Sequence, residues 1–348
     1  MLGREGTVHL IVDVDTGVDD CLALMWALAS PRVDLLAVTC SAGNVPAPQA
    51  AANTLAVLEL CGASDVEVAV GSVAPILEPL RTAISHGPRG LGYAELPEAR
   101  ASVSPRFASD LLVEEARRRP GEILLVVTGQ MTNLALAVRR EPRLAGLLRR
   151  LAIMGGSFGY PGNTTPAAEF NIAVDPEAAS IVLNAFSAPG VPRPLICGLN
   201  VTERAEFRPA HLRRLAELAG SSPAESLDPG DPLGARSQAS NAVVRCISDA
   251  LRFKMEAHLA FGRGYVAHMH DPLALALAVD ASLGETRPGR VDVELWGPLT
   301  RGMTVVDWDG RQRPPNADVV VRIDVEPFLD ELIELIAALA RRVGSAAD

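Results

Sequence analysis

Apolar runs and stretches of helical periodicity alternate along the chain. Short runs rich in Val, Ile and Leu, bounded by Gly, Pro or polar clusters, predict strands at residues 8–14, 33–40, 66–70, 123–128, 151–154 and 194–199. Between them, apolar positions at helical spacing predict helices at residues 20–29, 49–60, 109–119, 134–140, 176–185 and 209–219. A β-α-β-α rhythm makes successive strands parallel, because each return to the same end of the sheet needs a crossover. The fold class that follows is α/β, with a mainly parallel, Rossmann-like central sheet and helices on both faces. Residues 221–236 are rich in Ser, Pro and Gly and predict a loop or short insertion. A helix over 241–260 comes next, then strands at 291–295, 303–308 and 319–323, and an amphipathic helix over 325–342. No internal repeat interrupts this order, and residues 1–348 read as a single domain.

The first strand ends in an anomaly. The apolar run Val8-His9-Leu10-Ile11-Val12 leads straight into Asp13-Val14-Asp15-Thr16-Gly17-Val18-Asp19-Asp20, four carboxylates in eight residues. Like charges this close repel, and each raises the cost of ionising the next. A hard divalent cation with oxygen ligands is the simplest counter-charge. In parallel α/β sheets, ligands bind at the carboxyl ends of the strands. The cluster therefore marks a metal site and a candidate reaction centre.

Composition narrows the classes. Hydrophobic residues make up 48% of 348, ample for a large core. The net charge of -10 argues against nucleic acid or an anionic membrane as a partner. Cys21, Cys40, Cys61, Cys197 and Cys246 stand singly among apolar neighbours, with no C-x-x-C pair. They predict buried thiols in a reducing cytoplasm, not a zinc knuckle or a disulfide framework. The first apolar run is too short for a signal peptide, and no run is long and apolar enough to cross a membrane.

Other strand ends carry polar side chains that can share the crevice. Asn44 follows the second strand in Ser41-Ala42-Gly43-Asn44, and alone it reads as a turn residue. The strand ending at Thr128 leads into Gly129-Gln130-Met131-Thr132-Asn133. There Thr132 or Asn133 reads as a helix N-cap, and the Thr128 carbonyl is a candidate cation ligand. Asn163, Glu169 and Asn171 are side chains of the kind that bond sugar hydroxyls, although each alone reads as a loop residue. His86, in Ser85-His86-Gly87-Pro88-Arg89-Gly90, reads alone as a solvated loop histidine. Asp271-Pro272 reads as an N-cap with Pro at the first helical position, which leaves His268 and His270 beside it unexplained. With carboxylates and amides in the majority, the donors favour calcium or magnesium over zinc.

Taken together, these segments resemble the nucleoside hydrolase family, often called inosine–uridine preferring. The family hallmark is D-x-D-P-G-x-D-D, present here as residues 13–20 with Thr16 in place of Pro, a change that removes no ligand. The likeness continues through Gly43-Asn44-Val45, His86-Gly87, residues 128–133, Met154-Gly155-Gly156, Glu169-Phe170-Asn171-Ile172, residues 175–179, His270-Asp271, residues 304–307 and Pro315-Asn316-Ala317. It covers essentially the whole chain, in order.

The resemblance implies the nucleoside hydrolase fold and a Ca²⁺-dependent N-glycosidase that splits a purine or pyrimidine ribonucleoside into ribose and base. By matching positions, Asp15, Asp20, Asp271 and the Thr128 backbone oxygen would hold one Ca²⁺ per subunit. Asp15 would also be the general base for the attacking water, with Asn44 near it and Asp13 behind. Asp19, Asn163, Glu169 and Asn171 would grip the ribose, with Asp271 also near the substrate. His270 would be the acid for the leaving base and His86 a pocket wall, with His268 a second candidate acid and Tyr265 a candidate pocket residue. It also implies a homodimer or homotetramer. Glycosidic cleavage puts positive charge on the sugar, and a carboxylate-rich site stabilises that charge.

Two other classes compete. A catalytically silent nucleoside- or ribose-binding protein would keep fold and metal, but would not need the full set Asp15, Asp19, Asp20, Asn171, His270 and Asp271. A Mg-dependent phosphatase also starts with D-x-D after a strand, but Gly17 and the Asp19-Asp20 pair are foreign to that pattern.

Overall fold

The computed structural model describes residues 7–223 and 225–347; the two ends of the 1–348 unit and Ala224 of the 221–236 loop lie outside the described residues. In chain order the strands are β1 (Val8–Val14), β2 (Val33–Cys40), β3 (Glu67–Val70), β4 (Ile123–Val127), β5 (Arg150–Met154), β6 (Leu195–Cys197), β7 (Glu206–Phe207), β8 (Ala267–His268), β9 (Gly284–Val293), β10 (Thr304–Asp307) and β11 (Ala317–Ile323). Nine of them form one sheet in the order β10-β9-β11-β6-β5-β4-β1-β2-β3, and β7 pairs with β8. From β11 across to β3 every pairing is parallel. Among the described strands of this sheet β9 alone runs in the opposite direction, antiparallel to both β10 and β11. The sheet is thus mainly parallel, as the β-α rhythm requires.

Side chains alternate across β1 and feed two cores. Leu10, Val12 and Val14 join the apolar cluster under the helices Val18–Ala29, Ala47–Leu60, Ala242–Ala260, His270–Val279 and Val325–Ala347. Ile11 points to the other face, among the helices Ala108–Arg118, Thr132–Arg140 and Pro176–Ala185. The chain lays β2 and β3 on one side of β1 and β4, β5 and β6 on the other. The crossovers diverge there, and such a reversal opens a crevice at the carboxyl ends of the strands.

Three local departures from the sequence reading have clear causes. The first helix starts at Val18, two residues before the predicted 20, because the Gly17 N–H donates to Asp20 Oδ2 at 2.8 Å. An acid at the third helical position satisfies a donor the helix cannot. β9 is longer than residues 291–295 and includes Pro288, which lies before the stretch 290–293 that pairs with β10. Over residues 284–289 β9 pairs with β11 on one side and leaves the other side an edge, where a missing N–H costs nothing. Finally, Asp271 is not an N-cap: the helix His270–Val279 begins two residues before Pro272, with Met269 at the cap and Asp271 inside the first turn. Pro272 remains compatible, since N–H groups of a first turn have no helical partner.

Candidate active site

The acidic turn closes over the end of β1, and its carboxylates are buried. Asp13 Oδ1 accepts from Thr39 Oγ1 at 2.6 Å and Asn133 Nδ2 at 2.8 Å, while its Oδ2 has no partner. Asp15 turns both oxygens to Asn44, accepting from the backbone N–H at 2.6 Å and from Nδ2 at 2.9 Å. Asp20 accepts from Gly17 N–H and from Thr128 Oγ1, the latter at 2.9 Å. Asp19 Oδ1 is buried without a hydrogen-bond partner, 3.8 Å from His86 Nδ1 and 3.9 Å from Lys254 Nζ. Gly17 and Gly43 make this crowding feasible. A Cβ on Gly43 would fall 2.1 Å from Asp15 Oδ2.

Burial and mutual charge act together on these acids. Burial lifts Asp13 to about 7. Burial, then the Asp20 charge, pushes Asp15 well above the usual carboxylate range. Burial and Asp19 raise Asp20, and the same two causes push Asp271 well above the usual range. Asp19, Asp20 and Asp271 each offer an oxygen, and these atoms lie within 4.8 Å of one another. Among the described residues, no other three His, Cys, Asp or Glu converge in this way. A buried all-oxygen set with an unpartnered Oδ1 fits a hard divalent cation. Asp15 lies beside the converging group rather than in it, and Asp19, expected on the sugar, contributes to it. The Thr128 carbonyl accepts from Asn171 Nδ2 at 2.6 Å; a carbonyl oxygen has a second lone pair.

The neighbouring strand ends supply amides and one more acid. Glu169 caps the short helix Phe170–Val174, accepting from Asn171, Ile172 and Gly156 backbone N–H groups at 2.8, 3.1 and 3.0 Å. Burial still lifts it to about 7. Asn163 Oδ1 accepts from Phe170 N–H at 2.9 Å. Neither Thr132 nor Asn133 caps its helix, a role that falls to Met131. Thr132 Oγ1 donates to Asp175 instead, and Asn133 joins Asp13 to Ser72 N–H. The helix starts at Thr132, so both residues lie inside its first turn rather than at the cap, and their side chains serve as donors to buried carboxylates that are costly to leave unpaired.

The histidines divide. His86 is buried, not a solvated loop residue; its Nδ1 accepts from Val18 N–H at 3.0 Å and its Nε2 lies 2.7 Å from Lys254 Nζ. Burial, then the Lys254 charge, lowers it to about 3. His270 Nδ1 lies 2.8 Å from Thr202 Oγ1, and burial holds the ring well below the usual histidine range. His268 meets His270 edge-on and His258 at a tilt, with ring centroids 5.5 and 5.0 Å apart. Tyr265 packs on the core beneath the helices.

A cavity of about 690 Å³ opens above the turn. Asp19, Asn44, His86, the Thr128 residue, Asn163, Glu169, Asn171, His270 and Asp271 line it, so nine of the expected site residues share one crevice. Asp15 and Asp20 sit beneath it, bonded to Asn44 and Thr128. His268 and Tyr265 are not in its wall. Sequence reasoning missed Lys254, His258, Phe261 and Arg263, which complete the far wall. The available signal was a Lys and a His four residues apart on a helix whose face they share with apolar neighbours.

Similarity to known proteins spans the same residues. The sequence profile of the inosine-uridine preferring nucleoside hydrolases matches residues 10–330. A pyrimidine-specific ribonucleoside hydrolase RihA of Salmonella arizonae is 38% identical over 330 residues, covering 93% of this chain and 97% of its own. The RihA of a Shewanella species is 36% identical over 331 residues, covering 94% and 96%. A purine-preferring ribonucleoside hydrolase from Gardnerella vaginalis superposes with a TM-score of 0.84 at 29% identity, over 96% of this chain and 99% of that one. With the acidic turn, the strand-end amides and full-length likeness in agreement, the chain belongs to the inosine-uridine preferring nucleoside hydrolase family.

Proposed function

We propose that this ribonucleoside hydrolase depends on Ca²⁺ and acts first on pyrimidine ribonucleosides. The observation that carries the metal is the convergence of Asp19, Asp20 and Asp271 on one point, buried and all oxygen. Asp20 and Asp271 of that group would hold the ion together with Asp15 and the Thr128 carbonyl beside them, and Asp19 would share its carboxylate between ion and sugar. When bound, Ca²⁺ supplies positive charge that quiets the carboxylate repulsion, acidifies water and steadies a sugar diol. The names of the RihA relatives, at 36% and 38% identity, support the pyrimidine preference.

The chain's own groups then divide the work. Asp15 takes the proton of the attacking water, and the two Asn44 bonds aim its carboxylate. Asp19, Asn163, Glu169 and Asn171 bind ribose hydroxyls, with Asp13 held behind by Thr39 and Asn133. As the glycosidic bond lengthens, positive charge grows on the sugar above these acids. Thr202 takes His270 Nδ1, leaving Nε2 for the departing base. Burial keeps that ring neutral, so it offers a hydrogen bond rather than a standing proton. The five buried thiols support a reducing cytoplasm. The exposed Trp296 and Leu299 support self-association as a dimer or tetramer, which sedimentation would test.

The decisive experiment is a hydrolysis screen of uridine, cytidine, inosine, adenosine and guanosine with chelated and Ca²⁺-restored protein. Ribose release from uridine and cytidine, lost on chelation and restored by Ca²⁺, is expected. Binding without cleavage of any of the five, or equal rates with and without metal, would sink the reading.

A further inference from the structure

We propose that Lys254 stabilises the departing base, its ammonium meeting the base's acceptor beside the glycosidic nitrogen: O2 of a pyrimidine or N3 of a purine. The proposal rests on the ribonucleosidase reading of the site. Lys254 and His258 lie one turn apart on the helix Ala242–Ala260 and both face the cavity. Lys254 is 4% exposed, whereas Arg81 and Arg263, the other lysines or arginines in the wall, are exposed. A buried ammonium calls for an acceptor.

The protein does not place one at bonding distance. Val18 N–H occupies His86 Nδ1 at 3.0 Å, so the neutral ring carries its hydrogen on Nε2. That nitrogen faces Lys254 Nζ at 2.7 Å, setting two donors against each other. The near carboxylate oxygen, Asp19 Oδ1, stands 3.9 Å from Nζ and has no hydrogen bond. Two buried donors that share a cavity wall and lack an acceptor between them suit an acceptor brought by the substrate. A ribose hydroxyl could occupy the same place, bridging Nζ to Asp19 Oδ1. The sugar already has acid and amide partners in Asp19, Asn163, Glu169 and Asn171, however, whereas negative charge grows on the base.

The step balances without a further reactant. The C1′–N bond breaks with its electron pair on the base, and water oxygen bonds C1′. The water proton goes to Asp15, and the anionic base, held by Lys254, takes a proton from solvent on release. A fixed cation at that point acts on charge formed in the transition state.

The test compares Lys254→Met with the wild type, both as the full chain loaded with Ca²⁺, on uridine and on 4-nitrophenyl β-D-ribofuranoside. The nitrophenolate leaves without help, so a leaving-base role predicts unequal losses. The fall in kcat on uridine should be about hundredfold, at least about tenfold greater than on the nitrophenyl riboside. Lys254→Arg should recover part of the uridine rate, and Lys254→Gln replaces the Met variant if the latter does not fold. Equal losses on the two substrates would assign Lys254 to the sugar or the scaffold and overturn the proposal, as would an undiminished uridine rate. Turnover of the nitrophenyl riboside by the wild type reports on the site as a whole, separately from this ratio.

Discussion

Gly17→Ala isolates how tightly the acidic turn is packed. Gly17 has φ -98° and ψ -160°, extended backbone that Ala adopts freely, so the change tests space and not strain. A Cβ there would lie 2.2 Å from His86 Nδ1, 2.7 Å from His86 Cε1 and 2.6 Å from Asn44 Nδ2. Ordinary contact needs about 3.5 Å, so the His86 ring must retreat by roughly 1 Å. It is not free to do so, being buried between Val18 N–H and Lys254. Overpacking of this kind costs about 1–3 kcal/mol, and stranding the Val18 N–H adds about 1 kcal/mol. Urea unfolding of the metal-free full chain should therefore show a loss of about 2–4 kcal/mol. Turnover should fall as well, because the displaced Asn44 is what holds both Asp15 oxygens. With His86→Ala in the background, the ring is gone and only the Asn44 clash remains. Gly17→Ala should then cost at least about 1 kcal/mol less, a coupling typical of residues in contact. A silent Gly17→Ala, or the same cost in both backgrounds, would refute this account of the turn.

Three other outcomes are expected. Asn133→Ala leaves Asp13 with Thr39 as its remaining donor and frees Ser72 N–H, so thermal unfolding should show a loss of about 1–3 kcal/mol; an unchanged midpoint would remove Asn133 from the support of the site. Burial raises Asp13 from 3.8 and Glu169 from 4.5 to about 7 in the folded state, so these two groups hold more protons in the native chain than in the unfolded one in between. The stability these two groups contribute is therefore full below their unfolded values and lost as pH rises toward about 7; a chelated Glu169→Gln variant whose urea midpoint changes with pH over that window just as the wild type's does would contradict it. Ca²⁺ at a hundredfold excess over its dissociation constant should stabilise the fold by about 2.7 kcal/mol, and a melting temperature indifferent to Ca²⁺ would argue against a native-state site.

Much of the architecture is legible locally. Apolar runs and turn residues suffice for β1, β2, β4 and β5, because a parallel strand covered on both faces is apolar over most of its buried length, and β4 is so throughout. The strand expected at 291–295 is the end of β9; its earlier part, Gly284–Gly289, escaped because it is polar and carries a proline, as an exposed half-edge permits. The Asp271 cap reading failed for a related reason: a cap and a first-turn acid look alike in sequence, and only the backbone separates them.

For the site, the sequence by itself determined the chemistry available: four acids at one strand end, amides after the next strands, and a His-Asp pair late in the chain. Spacing along one strand and one turn places those acids together whatever the rest does. Tertiary structure alone decided how they share the work. Asn133 reaches Asp13 across 120 residues and Lys254 reaches His86 across 168, so neither role has a local signature. Burial, also a tertiary property, turned Asp13 and Glu169 from ordinary carboxylates into acids near 7. Short-range order follows from the chain's own periodicity. The electrostatics of the crevice follow from which distant helix closes it and how completely water is excluded.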